Sequence, residues 1–215
     1  MRSILLIGVG RLGKNIVTNL SALQHEIMAV DISEERVEEV LPYVTGAQIG
    51  DGTSTSFLKS LGVGNYDVCI VAMGSDFRSS LETAYLLKEL GAKKVVSRAT
   101  EDVQEKFLLN NGADAVLYPE KEVAEWVSVK YTFDNVKDYM RLDETMSLFE
   151  ISMPKGRHGS EAEKTDLAEK FDIHIIGIRK KGAEKWILRP DTLPEEGDLA
   201  LIAGTIKNVQ KYLRT

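Results

Sequence analysis

Gly8-Val9-Gly10-Arg11-Leu12-Gly13 spells a complete G-x-G-x-x-G near the start of the chain. It follows an apolar run, Ser3–Ile7, and opens a stretch of helical periodicity, Leu12–Leu23. In that setting each glycine has its own task. Gly8 permits a tight turn, Gly10 lets a phosphate approach the backbone, and Gly13 lets helix and strand pack closely. The helix start offers unpaired N–H groups and a positive dipole end to an anion. Asp31 ends the second apolar run, where a carboxylate accepts ribose hydroxyls and repels a 2′-phosphate. These residues describe a site for a nucleotide with a free ribose diol.

Further candidates fall at the ends of the other expected strands. Arg11, inside the loop, either reaches an outer phosphate with its planar fork or faces solvent in the first helical turn. Gly50-Asp51-Gly52-Thr53 follows the third strand; Asp51 either accepts from an adenine amine or closes a turn ahead of Ser54. Ala72-Met73-Gly74 closes the fourth strand with small residues at the same crevice. Leu12, Ile32 just after Asp31, and Arg98 at the end of the fifth strand complete the expected cofactor-binding set.

The reaction half of a dehydrogenase is not written beside this cofactor half. His25 precedes the second strand, His158 lies in a polar loop and His174 begins a late strand, none beside a recognisable partner. No Tyr-x-x-x-Lys, G-x-S-x-G, P-loop or metal-ligand spacing appears. Cys69, flanked by apolar residues, reads as buried filler. No catalytic residue and no enzyme activity are expected. A nucleotide sensor that shifts shape or assembly fits this imbalance. The alternatives are a small NAD(H)-dependent oxidoreductase with an unrecognised acid or base, and a free-standing NADH redox sensor.

The elements that must hold these residues follow an α/β grammar. The 215 residues are 43% hydrophobic and 28% charged, as in a soluble globular protein. From residue 3 to about 131, six apolar strands alternate with helices, which predicts a Rossmann-like, doubly wound parallel sheet. Pro119 opens a crossover helix, Glu120–Tyr131, completing a nucleotide-binding domain over 1–133. The polar stretch 134–144 is expected to be a linker. Residues 145–215 read as a small α+β lobe, with strands at Ser147–Met153, Ile173–Ile178, Trp186–Arg189 and Leu199–Ala203. A capping box at Ser160 and Glu163 opens its short helix, and a final helix spans about Thr205 to Leu213.

A formal charge of −6 lacks the broad positive footprint of a nucleic-acid binder. The lone Cys69 cannot form an internal disulfide, which suits a reducing, cytoplasmic compartment. The longest apolar run, Ile4–Gly10, is far below the ~20 residues of a membrane helix, so no direct membrane insertion is expected.

The glycine loop carrying Arg11, Ala29-Val30-Asp31, Gly50-Asp51-Gly52-Thr53 and Tyr118-Pro119-Glu120-Lys121 resemble the RCK (KTN) regulators, the KtrA/TrkA-type cytosolic subunits of potassium channels and transporters. The resemblance spans nearly the whole chain, including the change of grammar after residue 140. It implies that ATP, ADP or NAD(H) binds the N-terminal lobe. It also implies homodimers closing into an octameric ring at the inner face of the membrane, on a potassium channel or transporter subunit. By the same resemblance Arg11 reaches a terminal phosphate, Asp31 holds the ribose, and Glu120 holds a divalent or monovalent cation at the dimer interface. The residues alone make Glu120 a first-turn carboxylate complementing the helix dipole. One departure lies in Glu163–Phe171: Ala168 stands where cyclic di-AMP-binding members have an arginine, and charges stand at the apolar positions, so cyclic di-AMP binding is not implied.

Overall fold

The computed structural model describes residues 1–74, 76–153, 167–189 and 193–214. They form two compact units, Met1–Glu120 and Lys121–Thr215. In the first unit strands and helices alternate as β1 (Ser3–Ile7), α1 (Arg11–Ala22), β2 (Glu26–Asp31), α2 (Glu34–Val40), β3 (Gly46–Ile49), α3 (Thr55–Ser60), β4 (Val68–Val71), α4 (Phe77–Glu89), β5 (Val95–Arg98), α5 (Asp102–Asn110) and β6 (Ala115–Leu117). The strands are parallel in the order β3-β2-β1-β4-β5-β6. Chain order reverses between β1 and β4, and doubly wound sheets open a crevice at that point.

The continuous apolar run of β1 has a direct cause. Side chains alternate between sheet faces, and both faces here are covered. Leu5 and Ile7 pack with Leu58, Ala84, Leu87 and Leu108 of α3, α4 and α5. Leu6, between them, packs with Val17 of α1 and Val40 of α2 on the opposite face. A strand buried twice has no position left for a polar residue. Ser33 caps α2 as expected, accepting from Arg36 N at 3.4 Å.

The second unit is described by itself. It contains most of α6 (Pro119–Thr132), then β7 (Val136–Arg141), β8 (Ser147–Ser152), β9 (His174–Arg179), β10 (Leu199–Gly204) and α7 (Ile206–Arg214). Its sheet is antiparallel in the order β7-β8-β10-β9. Phe149, Ile151, Ile202 and Val209 centre its core, with Trp126 and Val129 of α6. The crossover helix therefore packs with the second unit's core.

The second unit departs from the sequence expectation at three places. The supposed linker 134–144 contains β7, an edge strand of which only Val136 and Tyr139 are buried. A register shift between Val136 and Asp138 puts those two residues three apart and erases the period-two pattern. Trp186–Arg189, expected as a strand, makes a single bridge, Ile187 to Ile178. The capping box Ser160/Glu163, His158 and most of the cyclic di-AMP stretch lie outside the described residues. Among the described residues, Leu167–Phe171 are helical.

Candidate functional site

A cleft of about 1090 Å³ opens at the carboxyl ends of the parallel strands, over the glycine loop. Gly8 adopts φ +96°, and a Cβ there would lie 2.8 Å from Met73 Cγ and 2.9 Å from Met73 N. Only glycine meets both constraints. Gly13 is closer still, since its Cβ would lie 2.1 Å from the carbonyl oxygen of Gly8. It is buried and does not line the cleft, so its work is to seat α1 against the loop. Gly10 differs from both. It is the N-cap of α1 at φ −73°, and a Cβ there would meet nothing within 4 Å. The free face of that helix start is open to an anion.

Asp31 is buried at the end of β2, and its carboxylate is already engaged. Oδ2 accepts from Val9 N at 2.7 Å and Oδ1 from Ser33 N at 3.0 Å. One side chain thus ties the glycine loop to the start of α2. A carboxylate has about four lone-pair sites, which leaves room for a ribose diol. Ile32, beside it, is exposed and presents an apolar surface at the mouth.

The other expected residues divide by task. Arg11 and Leu12 line the cleft; Arg11 is exposed, with no ion pair or hydrogen bond among the described residues. Its guanidinium is available. Asp51 lines the cleft too, but its Oδ1 accepts from Thr53 N and Thr53 Oγ1, both at 2.8 Å. The Thr53 amide, then its hydroxyl, holds the Asp51 carboxyl below its ordinary range. Asp51 therefore closes the turn before Ser54, which caps α3, and its Oδ1 is the oxygen that does so. Gly52, Ala72, Met73 and Gly74 line the cleft as well.

Arg98 lines the cleft from the end of β5. Its Nη2 donates to Glu120 Oε1 in the first turn of α6. Glu120, expected as a cation ligand at a dimer interface, pairs with Arg98 within the single chain. No group of three His, Cys, Asp or Glu side chains suited to a metal occurs among the described residues.

Several lining residues had no motif to announce them. Lys14 pairs with Glu39 at 2.9 Å, and Arg36 lies 3.7 Å from Asp31. Helical spacing is the signal that finds them: Lys14 is one turn past Gly10, and Arg36 is three residues past the Ser33 cap. His25 and His174 are not among the lining residues; His25 Nδ1 accepts from Arg2 N. Cys69 is fully buried in β4, and burial pushes its thiol up to about 12.

Comparison with known proteins places this geometry in a family. The TrkA-N domain model matches residues 4–119. Ktr system potassium uptake protein C of Bacillus subtilis (strain 168) is 35% identical over 209 residues, covering 96% of this chain and 94% of that protein. The crystal structure of the GsuK RCK domain superposes with a TM-score of 0.67 at 16% identity, over 100% of this chain and 47% of the other. The GsuK channel bound to NAD gives a TM-score of 0.68 at 16% identity, over 100% and 40%. This chain thus spans less than half the length of the two GsuK chains, and the likeness to them is one of fold: a parallel Rossmann-like unit followed by a small antiparallel one. With the family model matched over more than half of its residues and a relative aligned along nearly its whole length, the chain belongs to the TrkA-N domain family, alongside the Ktr potassium uptake proteins.

Proposed function

We propose that this chain is a nucleotide-sensing regulatory subunit of a potassium uptake channel or transporter, and not an enzyme. The observation that carries the reading is Asp31, fixed on Val9 N with lone pairs to spare, beside the open N-terminus of α1. Phosphates of ATP, ADP or NAD(H) take the helix start, where free N–H groups and the dipole favour negative charge. The ribose diol donates to Asp31, and a 2′-phosphate is repelled. Arg11, unpaired and exposed, reaches the outermost phosphate as a charge-assisted donor. The relative named for potassium uptake supports the transport role, and the GsuK channel bound to NAD supports a nucleotide in this fold.

Signalling follows from what the nucleotide orders. Asp31 already links the glycine loop to α2, so a ligand held by both stiffens their connection and biases one conformation of the unit. In this reading subunits pair into homodimers and an octameric ring that meets its membrane partner from the cytoplasm. Val123, Val127 and Tyr131, spaced by four along α6 and exposed in the single chain, support self-association. Among the described residues no helix is long and apolar enough to cross a membrane. The test is potassium uptake at limiting potassium in cells of the source organism. Deleting the chain is expected to lower uptake, and an Arg11→Ala copy to restore it only partly. Uptake indifferent to the deletion would contradict the transport role.

A further inference from the structure

Arg98 sits where its pairing leaves its donors poorly used. Its side chain is 18% exposed against 56% for Glu120. A guanidinium has five N–H donors, and here Nε is buried with no acceptor among the described residues. Nη1 lies directly over Gly74 at the end of β4, where a Cβ would approach it to 1.8 Å. Gly74 and Arg98 both line the cleft. Only the lack of a side chain at position 74 lets the guanidinium lie there, at the cleft lining. Its present partner is a mostly exposed carboxylate, and such pairs contribute little. A phosphate offers bidentate, charge-assisted bonds that match the fork better.

We propose that Arg98 is a phosphate-responsive side chain of the cleft, held on Glu120 until a nucleotide phosphate competes for it. This rests on the nucleotide reading above and adds a regulated contact to it. Glu120 is then a positioning residue: it keeps Arg98 over Gly74 and is released when phosphate takes the guanidinium. Glu120 stands at the first turn of α6, which runs on into the second unit. Phosphate binding thereby changes the charge balance at the start of that helix.

The experiment is calorimetric titration of ADP and of adenosine, in buffer with chelator, into wild type, Arg98→Ala, Glu120→Gln and the double variant. Removing the competitor in Glu120→Gln is expected to tighten ADP roughly twofold to fivefold, the worth of an exposed pair. That gain should vanish when Arg98 is alanine. Arg98→Ala alone should weaken ADP about tenfold or more while leaving adenosine unchanged. If the alanine variant does not fold, Arg98→Lys serves: it keeps the charge, loses the fork, and should lose ADP affinity together with most of the Glu120→Gln gain. An unchanged or weaker affinity for ADP in Glu120→Gln overturns the proposal. So does an equal gain without Arg98, which would make Glu120 merely a repelling charge. Wild type that binds neither ADP nor adenosine overturns the nucleotide reading itself, and this proposal with it.

Discussion

Replacing Asp31 with alanine is expected to destabilise the empty protein, quite apart from any nucleotide. The carboxylate accepts Val9 N at 2.7 Å and Ser33 N at 3.0 Å. Val9 is 2% exposed, so no water readily replaces the lost acceptor. An orphaned buried donor costs about 1–3 kcal/mol, and the second, part-buried bond about 0.5–1.5 kcal/mol. The 3.7 Å approach of the exposed Arg36 adds nothing dependable. A total near 2–4 kcal/mol, at roughly 2–4 °C per kcal/mol, lowers the melting temperature by about 5–15 °C. Asp31→Asn should fall between. Its amide oxygen can keep one N–H, but its NH2 then opposes the other donor. The assay is thermal unfolding of nucleotide-stripped protein, followed by AMP titration of whatever remains folded. Asp31→Ala melting within about 1 °C of wild type would refute the loop-anchoring role. Unchanged AMP affinity would put the ribose elsewhere.

The second and third glycines of the loop separate packing from ligand approach. Gly13→Ala drives a methyl onto the Gly8 carbonyl and should cost about 3 kcal/mol or more, whereas Gly10→Ala, with open space around it, should melt like wild type yet bind ADP weakly. Equal melting temperatures for these two variants would contradict the loop geometry. Cys69, with its thiol raised to about 12 by burial, should resist alkylation at neutral pH until the protein unfolds; labelling of the folded chain at the free-thiol rate would contradict it. Asp198 ties the loop before β10. Burial raises its pKa, but the Glu195 amide and the Lys180 ammonium outweigh burial and hold the carboxyl below its ordinary range. A depressed carboxyl stabilises above its unfolded value near ~3.9 and loses that contribution as pH falls through the folded value. The stability gap between wild type and Asp198→Asn should therefore be full at neutral pH and close in acid; a gap that is constant in denaturant titrations across that range would remove the role.

The first unit was legible because its signals are backbone signals. A glycine loop between strand and helix has few geometries, and the doubly buried β1 leaves an unbroken apolar run. Asp31 was visible as an acid at a strand end, but its bonds to Val9 and Ser33 were not, since sequence does not show which amides a carboxylate will find. Asp51 illustrates the same limit: two readings were open, and the Thr53 hydrogen bonds favour the turn. Arg98 and Glu120 meet across twenty-two residues of chain. One is a strand end and the other a helix start, so nothing in the sequence links the two. β7 was hidden by its register shift and its exposed edge.

The central claim is that the cleft takes an adenine nucleotide with a free ribose diol. Its most direct test is calorimetric titration of nucleotide-stripped protein with ATP, ADP, NADH and NAD, beside NADP as the 2′-phosphate control. Saturable binding of at least one of the first four, with NADP weaker by about tenfold or more, is the expected result. No binding by any of them, or NADP binding as tightly as NAD, would contradict it.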